Sequence, residues 1–152
     1  MKISIIYATH SGNTESMAHG IKGLLDDMGH KTVCLDALSH GALDLTNFDG
    51  IIFGCSTHGE GELNPEAERY FERLHTKDVD FNGKAVAIFG LGESVYPCFC
   101  SSVPIAEKKF MSLGARVILP SLKIDMMEFD QKAREKQLID WLKRVGGEFD
   151  TY

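Results

Sequence analysis

The chain has 152 residues, of which 43% are hydrophobic, and its formal net charge at pH 7 is −6. This length and composition suit one globular domain, spanning residues 1–152, with a hydrophobic core of its own. The acidic balance argues against a nucleic-acid-binding protein, because such binding depends on cations that contact phosphates. It favours basic protein partners instead.

The first apolar run of the chain predicts a strand over residues 3–7. The run ends at Ala8 and is too short for a signal-peptide core or a membrane span, so we expect a cytoplasmic protein. A helical pattern follows at residues 13–28. A strand that turns at once into a helix directs free backbone N–H groups and the positive end of the helix dipole at one spot, which favours an anion.

The loop between this strand and helix is rich in neutral hydrogen-bond donors. Its candidate binding residues are Thr9, His10, Ser11, Gly12, Asn13 and Thr14. A nucleoside-triphosphate P-loop needs a Lys at the position after Gly12, where this chain has Asn13. The loop therefore favours a terminal phosphomonoester held by neutral donors, although Ser, Thr and Asn also occur in helix caps that bind nothing.

The rest of the chain continues the alternation of strand and helix. Predicted strands cover residues 31–35, 50–55 and 84–90, with two short pieces at 116–119 and 122–124, and predicted helices cover residues 65–75, 103–113 and 129–145. Five strands alternating with helices imply a parallel sheet covered on both faces. In such sheets ligands bind beyond the carboxyl ends of the strands, so we expect the loops after the first, third and fourth strands to converge.

The second and third of these loops predict the shape of the ligand. The second loop contains Ser56, Thr57, His58, Gly59, Glu60, Gly61 and Glu62, and the third contains Leu91, Gly92, Glu93, Tyr96, Phe99 and Cys100. The proline after Tyr96 keeps that residue extended, where its ring either stacks on a ligand or caps the core. A flat aromatic ligand with one phosphate would use all three loops, and flavin mononucleotide (FMN) has that shape.

The four cysteines indicate neither a metal site nor a disulfide framework. Cys34, Cys55, Cys98 and Cys100 lack the paired spacing of zinc ligands. We therefore expect free thiols and no bound metal.

Three ordered motifs give the chain a resemblance to the short-chain flavodoxins. Residues 9–14 resemble the phosphate signature of that family, residues 56–59 its second flavin loop and residues 90–96 its third. Residues 117–124 leave no room for the insertion found in long-chain members. The resemblance implies a flavodoxin-like three-layer α/β sandwich, with a five-stranded parallel sheet of order 2-1-3-4-5 and helices on both faces. It also implies a low-potential one-electron carrier that binds FMN tightly and non-covalently, and not an enzyme.

The resemblance also assigns roles to residues. The side chains of Thr9, Ser11, Asn13 and Thr14, with the amides of His10 and Gly12, would hold the phosphate. Tyr96 would stack on the outer flavin face, and backbone groups near Gly92, Glu93 and Cys100 would bind the pyrimidine edge. The peptide of Gly59 would flip so that its carbonyl accepts the proton gained by the semiquinone.

Negative charge near the flavin would then lower the potential of the second reduction step, from semiquinone to the anionic hydroquinone. The carboxylates expected near the flavin are Glu60, Glu62, Glu66 and Glu93, although each could equally be an ordinary solvated side chain. The chain departs from the family pattern at His58, where many short-chain members have a Trp against the inner flavin face. A protonated His58 would raise the hydroquinone potential as pH falls; a partly exposed His would have little influence.

Several alternative functions follow from the same pattern. An FMN-dependent NAD(P)H reductase would need a second dinucleotide site, but Gly90-Leu91-Gly92 lacks the third Gly and the acidic partner of that fingerprint. A flavin-bearing accessory module of one enzyme remains open. A signalling receiver domain would need acidic residues where Thr9 and Ser56 stand.

We expect a monomeric carrier whose acidic flavin edge contacts redox partner proteins transiently, with no nucleic acid or membrane involved.

Overall fold

Strands and helices alternate along the chain. The structure, a computed structural model, describes residues 1–9, 12–58 and 61–151, and the side chain of residue 58 lies outside this description. The strands of the described residues are β1 Lys2–Ala8, β2 Lys31–Asp36, β3 Gly50–His58, β4 Glu62–Leu63, β5 Ala85–Gly92 and β6 Arg116–Asp125. The helices are α1 Asn13–Asp27, α2 Pro65–Thr76, α3 Ser102–Ser112 and α4 Gln131–Asp150, and a 3-10 helix covers His40–Leu43.

The five long strands form a parallel sheet in the order β2-β1-β3-β5-β6. This arrangement confirms the expected order 2-1-3-4-5 of the long strands. The sheet also has a sixth member that the sequence did not predict, because β4 pairs antiparallel with the end of β3. Residues 56–58, which were expected to be loop, therefore continue β3: Ser56 pairs with Leu91, and Thr57 pairs with Leu63.

The last strand also differs from its prediction. The two short pieces expected at residues 116–119 and 122–124 form one strand, β6, with a register shift opposite Ala87 and Phe89. Pro120 has no N–H to donate and lies in this edge strand, where a proline is tolerated. Its carbonyl accepts a bond of 3.3 Å from the Trp141 indole of α4, which anchors the irregular segment to the helix.

Helices cover both faces of the sheet because the strand side chains are apolar on both sides. Ile3 and Ile5 of β1 pack with α1 and α4, whereas Ile6 and Ala8 point to the opposite face and pack with α2 and α3. The core on the α2 and α3 face is mostly aliphatic and contains an aromatic group of Phe53, Tyr70, Phe71, Phe81 and Phe110. The core on the α1 and α4 face is also mostly aliphatic, and its aromatic members are Tyr7, Phe89, Trp141 and Phe149.

The order of the strands creates a crevice at one edge of the sheet. From β1 the chain crosses to β2 on one side, and it then returns to β3 on the other side of β1. The helices that follow β1 and β3 therefore lie on opposite faces of the sheet, which leaves a crevice between the two strands at the carboxyl edge, the position at which parallel sheets bind ligands. In the described part of the chain, no helix is long and apolar enough to cross a membrane.

Candidate functional site

The described residues on either side of the first loop, Thr9 and Gly12, are joined by a hydrogen bond directly before α1. Gly12 has a φ of 90°, which a residue with a side chain rarely adopts, and its amide donates to the Thr9 hydroxyl at 2.8 Å. A Cβ at Gly12 would meet nothing within 4 Å. Thr14 is buried in the first turn of α1, while Asn13 is exposed. His10 and Ser11, two predicted site residues, lie outside the described residues.

A buried asparagine links this first loop to the second. Asn64 is 0% exposed, and its side-chain amide donates to the Ala8 carbonyl at 2.8 Å and to the Ser56 hydroxyl at 3.0 Å. Its side-chain oxygen accepts the Ala67 amide at 2.8 Å and so caps α2. One side chain therefore fixes the ends of β1 and β3 relative to α2. This role was not among the predictions from the sequence, although an Asn directly before Pro65 is a recognisable helix-start signal.

Two sets of contacts join the end of β3 and the residues after it to the third loop and the start of α3. The Thr57 and Ser102 hydroxyls lie 2.9 Å apart, and the Ser102 amide donates to the Thr57 hydroxyl at 3.3 Å. Gly61 approaches the third loop so closely that a Cβ there would lie 3.1 Å from the Cβ atoms of both Cys98 and Ser101. The predicted site residues Gly59 and Glu60 and the side chain of His58 lie outside the described part of the chain.

The third loop doubles back on the end of β5. An ideal Cβ on Gly92 would lie 3.0 Å from the Cys100 amide nitrogen and 2.9 Å from the Phe99 ring, so these residues are adjacent in space. Leu91 is buried beneath them, whereas the Tyr96 side chain is 62% exposed. The Tyr96 amide donates to the Glu93 carbonyl at 3.1 Å and closes the outer turn of the loop. The Tyr96 ring is therefore free to cover a ligand.

The third loop is also fastened to the segment that follows β6. The Asp125 carboxylate accepts the Ser94 amide at 3.1 Å and the Met127 amide at 3.0 Å. The Met126 amide donates to the Gly92 carbonyl at 2.8 Å. Hydrogen bonds from Ser94, followed by the one from the Met127 amide, lower the pKa of Asp125 below its ordinary value. The charged carboxylate thus holds two loops together at neutral pH.

The charge of the three loops is negative or neutral. They contain no Lys or Arg, and Glu62 and Glu93 are exposed, whereas Glu66 is half-buried. No group of three or more His, Cys, Asp or Glu side chains in the described residues is placed to hold a metal ion. The site thus suits a ligand bound by neutral donors and by backbone amides.

The buried thiols near the site are unreactive at neutral pH. All four cysteines are free, as the sequence predicts. Burial raises the pKa of the Cys55 thiol to about 12 and that of the Cys100 thiol to about 11. Both groups therefore stay protonated at neutral pH, and neither is a nucleophile.

Comparison with known proteins gives consistent similarities. The family model described as flavodoxin matches residues 5–148. Probable flavodoxin 2 of Bacillus subtilis is 37% identical over 125 residues, which are 82% of this chain and 82% of that protein. Oxidised flavodoxin 2 from Bacillus cereus superposes with a TM-score of 0.85 at 37% identity, covering 97% of this chain and 99% of that one. The flavodoxin of Fusobacterium nucleatum, solved bound to flavin mononucleotide, gives 0.76 at 20% identity, covering 97% and 98%, and bears on the fold alone.

Proposed function

The chain belongs to the flavodoxin family and is an electron-transfer protein, and we propose that the loops after β1, β3 and β5 hold FMN as its redox group. The observation that carries the proposal is the convergence of these three loops at the switch point between β1 and β3. Bound FMN supplies the capacity to take up and release electrons singly. The relatives are flavodoxins, so the reductase, accessory-module and receiver alternatives are not favoured.

The first loop fits the phosphate end of FMN. The start of α1 presents backbone amides and the positive end of its dipole, and the open space beside Gly12 leaves room for an anion. Because the loop contains no cation, hydroxyls and amides would carry the binding. The Gly12 amide now bonded to Thr9 would turn to the phosphate or be shared with it. The proposed phosphate ligands are Thr9, Ser11, Asn13 and Thr14, with the amides of His10 and Gly12.

The second and third loops fit the ring end. Tyr96 has its side chain largely exposed and so provides an aromatic face that would exclude water from one side of the ring. The adjacent backbone of Gly92, Glu93 and Cys100 would bind the pyrimidine edge. The other proposed contacts with FMN are Ser56, Thr57, His58, Gly59, Glu60, Gly61, Leu91 and Phe99.

The acidic side chains would oppose the accumulation of negative charge. Glu62 and Glu93 are exposed. The repulsion between each carboxylate and the reduced flavin would therefore be only about 1 kcal/mol or less, the value for two unit charges about 4 Å apart in water. Their combined effect, together with exclusion of water from the ring, would make full reduction harder than the first step. This supports a low-potential carrier. We propose in the same way that the Gly59 peptide flips so that its carbonyl accepts a proton from the flavin after the first electron, and that a protonated His58 would raise the potential of the second step.

The protein exchanges electrons with redox partner proteins, as flavodoxins do. Its net charge of −6 supports transient docking of basic partners at the acidic flavin edge. We propose further that residues 1–152 form one FMN-binding domain and that the protein acts as a cytoplasmic monomer.

Two measurements test this function. Anaerobic reduction of the FMN-loaded protein should give a long-wavelength absorbance that rises with the first electron and falls with the second; a single two-electron bleaching would contradict one-electron transfer.

Titration of the apoprotein should then compare FMN with riboflavin, which lacks the phosphate. Thr9→Val should weaken FMN binding by about tenfold, equivalent to about 1.4 kcal/mol, and leave riboflavin binding unchanged. Thr76→Val at the exposed end of α2 is the matched control.

A further inference from the structure

We propose that a recess between the edge strand β6 and helix α4 is a binding site for a small organic anion: a carboxylate or a phosphomonoester that carries an aromatic or short aliphatic body. The recess is lined by residues 120–123 of β6 and by Gln137, Asp140, Trp141 and Arg144 of α4, and is called here the β6–α4 recess. None of these residues is a proposed FMN contact. The inference therefore goes beyond the proposed function and does not depend on it.

The β6–α4 recess exists because β6 carries more residues than the strand beside it. Between the pairs Ala87–Ile118 and Phe89–Leu122, β5 has one residue and β6 has three, residues 119–121. Extra residues of this kind bulge out of the ladder and bend the strand. Because β6 lies at the edge of the sheet, the bulge packs against α4 and not against a further strand.

One face of α4 forms the opposite wall of the recess. Gln137, Trp141 and Arg144 follow one another at intervals of four and three positions and therefore point to the same side of the helix. The Trp141 indole donates to the Pro120 carbonyl, and the Arg144 guanidinium donates to the Leu119 carbonyl. The recess has a volume of about 390 Å³, which is at the lower end of the range of about 300–1,000 Å³ for small-molecule sites.

The floor of the recess is apolar. Leu122 and Trp141 are only 4% and 7% exposed, and the exposed Pro120 stands beside them. An aromatic or aliphatic group that covers these side chains is removed from water together with them, which favours binding. The floor therefore selects a ligand with an apolar body.

Cations in the lining select a negative charge on that ligand. Within the described part of the chain, the Arg144 guanidinium bonds only the Leu119 carbonyl, so it has further N–H donors to offer. The exposed Lys123 makes no hydrogen bond or ion pair with another described residue. Asp140 is the one carboxylate among the described lining residues, and the Lys136 ammonium pairs with it at 3.0 Å. A planar guanidinium and a lysine match a carboxylate or a phosphate.

The remaining polar groups of the lining suit the same ligand. The Gln137 amide has no hydrogen-bond partner among the described residues, and it can donate to an anion. The Ser121 hydroxyl is buried and also has no partner in this part of the chain, so no bond holds it in its present orientation. A polyanion such as a nucleic acid is repelled by the net charge of −6. A small anion meets mainly the local cations, because salt screens the more distant carboxylates.

Nuclear magnetic resonance of the FMN-loaded, ¹⁵N-labelled protein tests the site. The chain has one Trp, so the indole N–H of Trp141 gives a single signal from inside the recess. Titration with phenyl phosphate should shift this signal saturably, and phenylacetate should do the same. The tighter of the two probes identifies the headgroup as a phosphomonoester or a carboxylate. Inorganic phosphate and benzyl alcohol, which each lack one half of the ligand, should shift the signal much less.

Two variants test the cations of the recess. Arg144→Gln and Lys123→Gln should each weaken phenyl phosphate binding about fivefold, because each removes a charged donor. Lys123→Gln breaks no bond of the folded protein, so it tests the charge even if Arg144→Gln disturbs the bulge. Lys143→Gln is the matched control, because Lys143 is also a cation of α4 but does not line this recess. It should bind phenyl phosphate as the wild type does.

Three results would overturn the inference. The first is a Trp141 signal that does not shift saturably with either probe. The second is an equal shift with inorganic phosphate, which would indicate an adventitious ion only. The third is an affinity for phenyl phosphate that is the same in Lys123→Gln, Arg144→Gln and the wild type. In each case the proposed function stands, because the recess shares no residue with the proposed FMN site.

Discussion

The two edges of the sheet are built from similar polar contacts but leave very different surfaces. At the amino edge, the Lys84 ammonium donates to the Leu45 carbonyl at 2.6 Å and to the Phe48 carbonyl at 2.5 Å. The Phe149 ring of α4 packs so closely over Gly50, where β3 begins, that a Cβ at this glycine would overlap the ring. Side chains from distant elements thus close this edge.

At the carboxyl edge, the polar side chains lie beneath the loops. Asn64 supports the first and second loops, the Thr57 and Ser102 pair ties β3 to α3, and Asp125 fastens the third loop. Among the described residues at this edge, Asn13 and Tyr96 have exposed side chains. Hydrogen bonds that lie below the loops leave their outer side chains accessible to a ligand, whereas side chains that cross the edge, as at the amino edge, cover it.

Removing the support at the carboxyl edge should have the largest effect. Asn64→Ala removes the side-chain hydrogen bonds to the Ala8 carbonyl and from the Ala67 amide, and we expect the free energy of unfolding to fall by about 2–4 kcal/mol. FMN binding should weaken as well, because the first and second loops lose their common anchor. Urea unfolding of the apoprotein and FMN titration measure the two effects. Asn64→Asp keeps the cap acceptor and should lose less; an unchanged FMN affinity in Asn64→Ala would contradict the anchoring role.

The matching change at the amino edge should affect stability alone. Lys84→Met removes the donor to two backbone carbonyls, and we expect a loss of about 1–2 kcal/mol in the free energy of unfolding. FMN affinity should remain within experimental error, because no proposed contact lies at that edge. Parallel urea and FMN titrations check the prediction. If FMN affinity fell as far as in Asn64→Ala, the functional distinction between the edges would be lost.

Alkaline pH should lower the free energy of unfolding through the buried Cys55 thiol at the carboxyl edge. Below the unfolded pKa of about 8.5, Cys55 is protonated in both states. Above it the unfolded thiol ionises, while the folded thiol, with a pKa of about 12, does not. The free energy of unfolding should therefore fall as pH rises, by about 1.4 kcal/mol per pH unit from this group. Urea unfolding between about pH 9 and 11 should show a shallower slope for Cys55→Ala, and equal slopes would contradict the assignment.

Acid pH should give the smallest change in stability, through the Asp125 carboxylate that bonds the third loop to the segment after β6. The folded pKa of Asp125 is lowered, so its stabilising contribution is present above its unfolded pKa and is lost as pH falls through the folded value. Asp125→Asn should therefore be less stable than the wild type at pH 7, and the difference should disappear in acid. Thermal unfolding across this range measures it, with Asp27→Asn on α1 as the control. A difference independent of pH would show that the charge is not what matters.

The local pattern of the sequence was enough to predict the parallel sheet, and it also predicts a ligand site at the carboxyl edge of that sheet. Uninterrupted apolar runs such as 51–53 and 85–89 can be buried only in strands covered on both faces, and hydroxyl-rich residues after β1 predict an anion site at a helix start. The prediction failed where backbone pairing overrides side-chain character. Ser56 and Thr57 are polar and were assigned to a loop, yet they continue β3, because β-ladder bonds do not depend on side-chain polarity.

The sequence by itself therefore determined the alternation of elements and the order of the long strands, and it predicts three loops that a ligand would use. The tertiary structure decided which residues hold those loops: Asn64 reaches a carbonyl 56 positions away, and Thr57 meets Ser102 at a separation of 45. It also decided that the third loop adjoins the segment after β6, because the Asp125 carboxylate bonds the amides of Ser94 and Met127. The physical reason is that hydrophobic periodicity reports which way a side chain faces within its own element, whereas contacts between elements depend on how those elements pack.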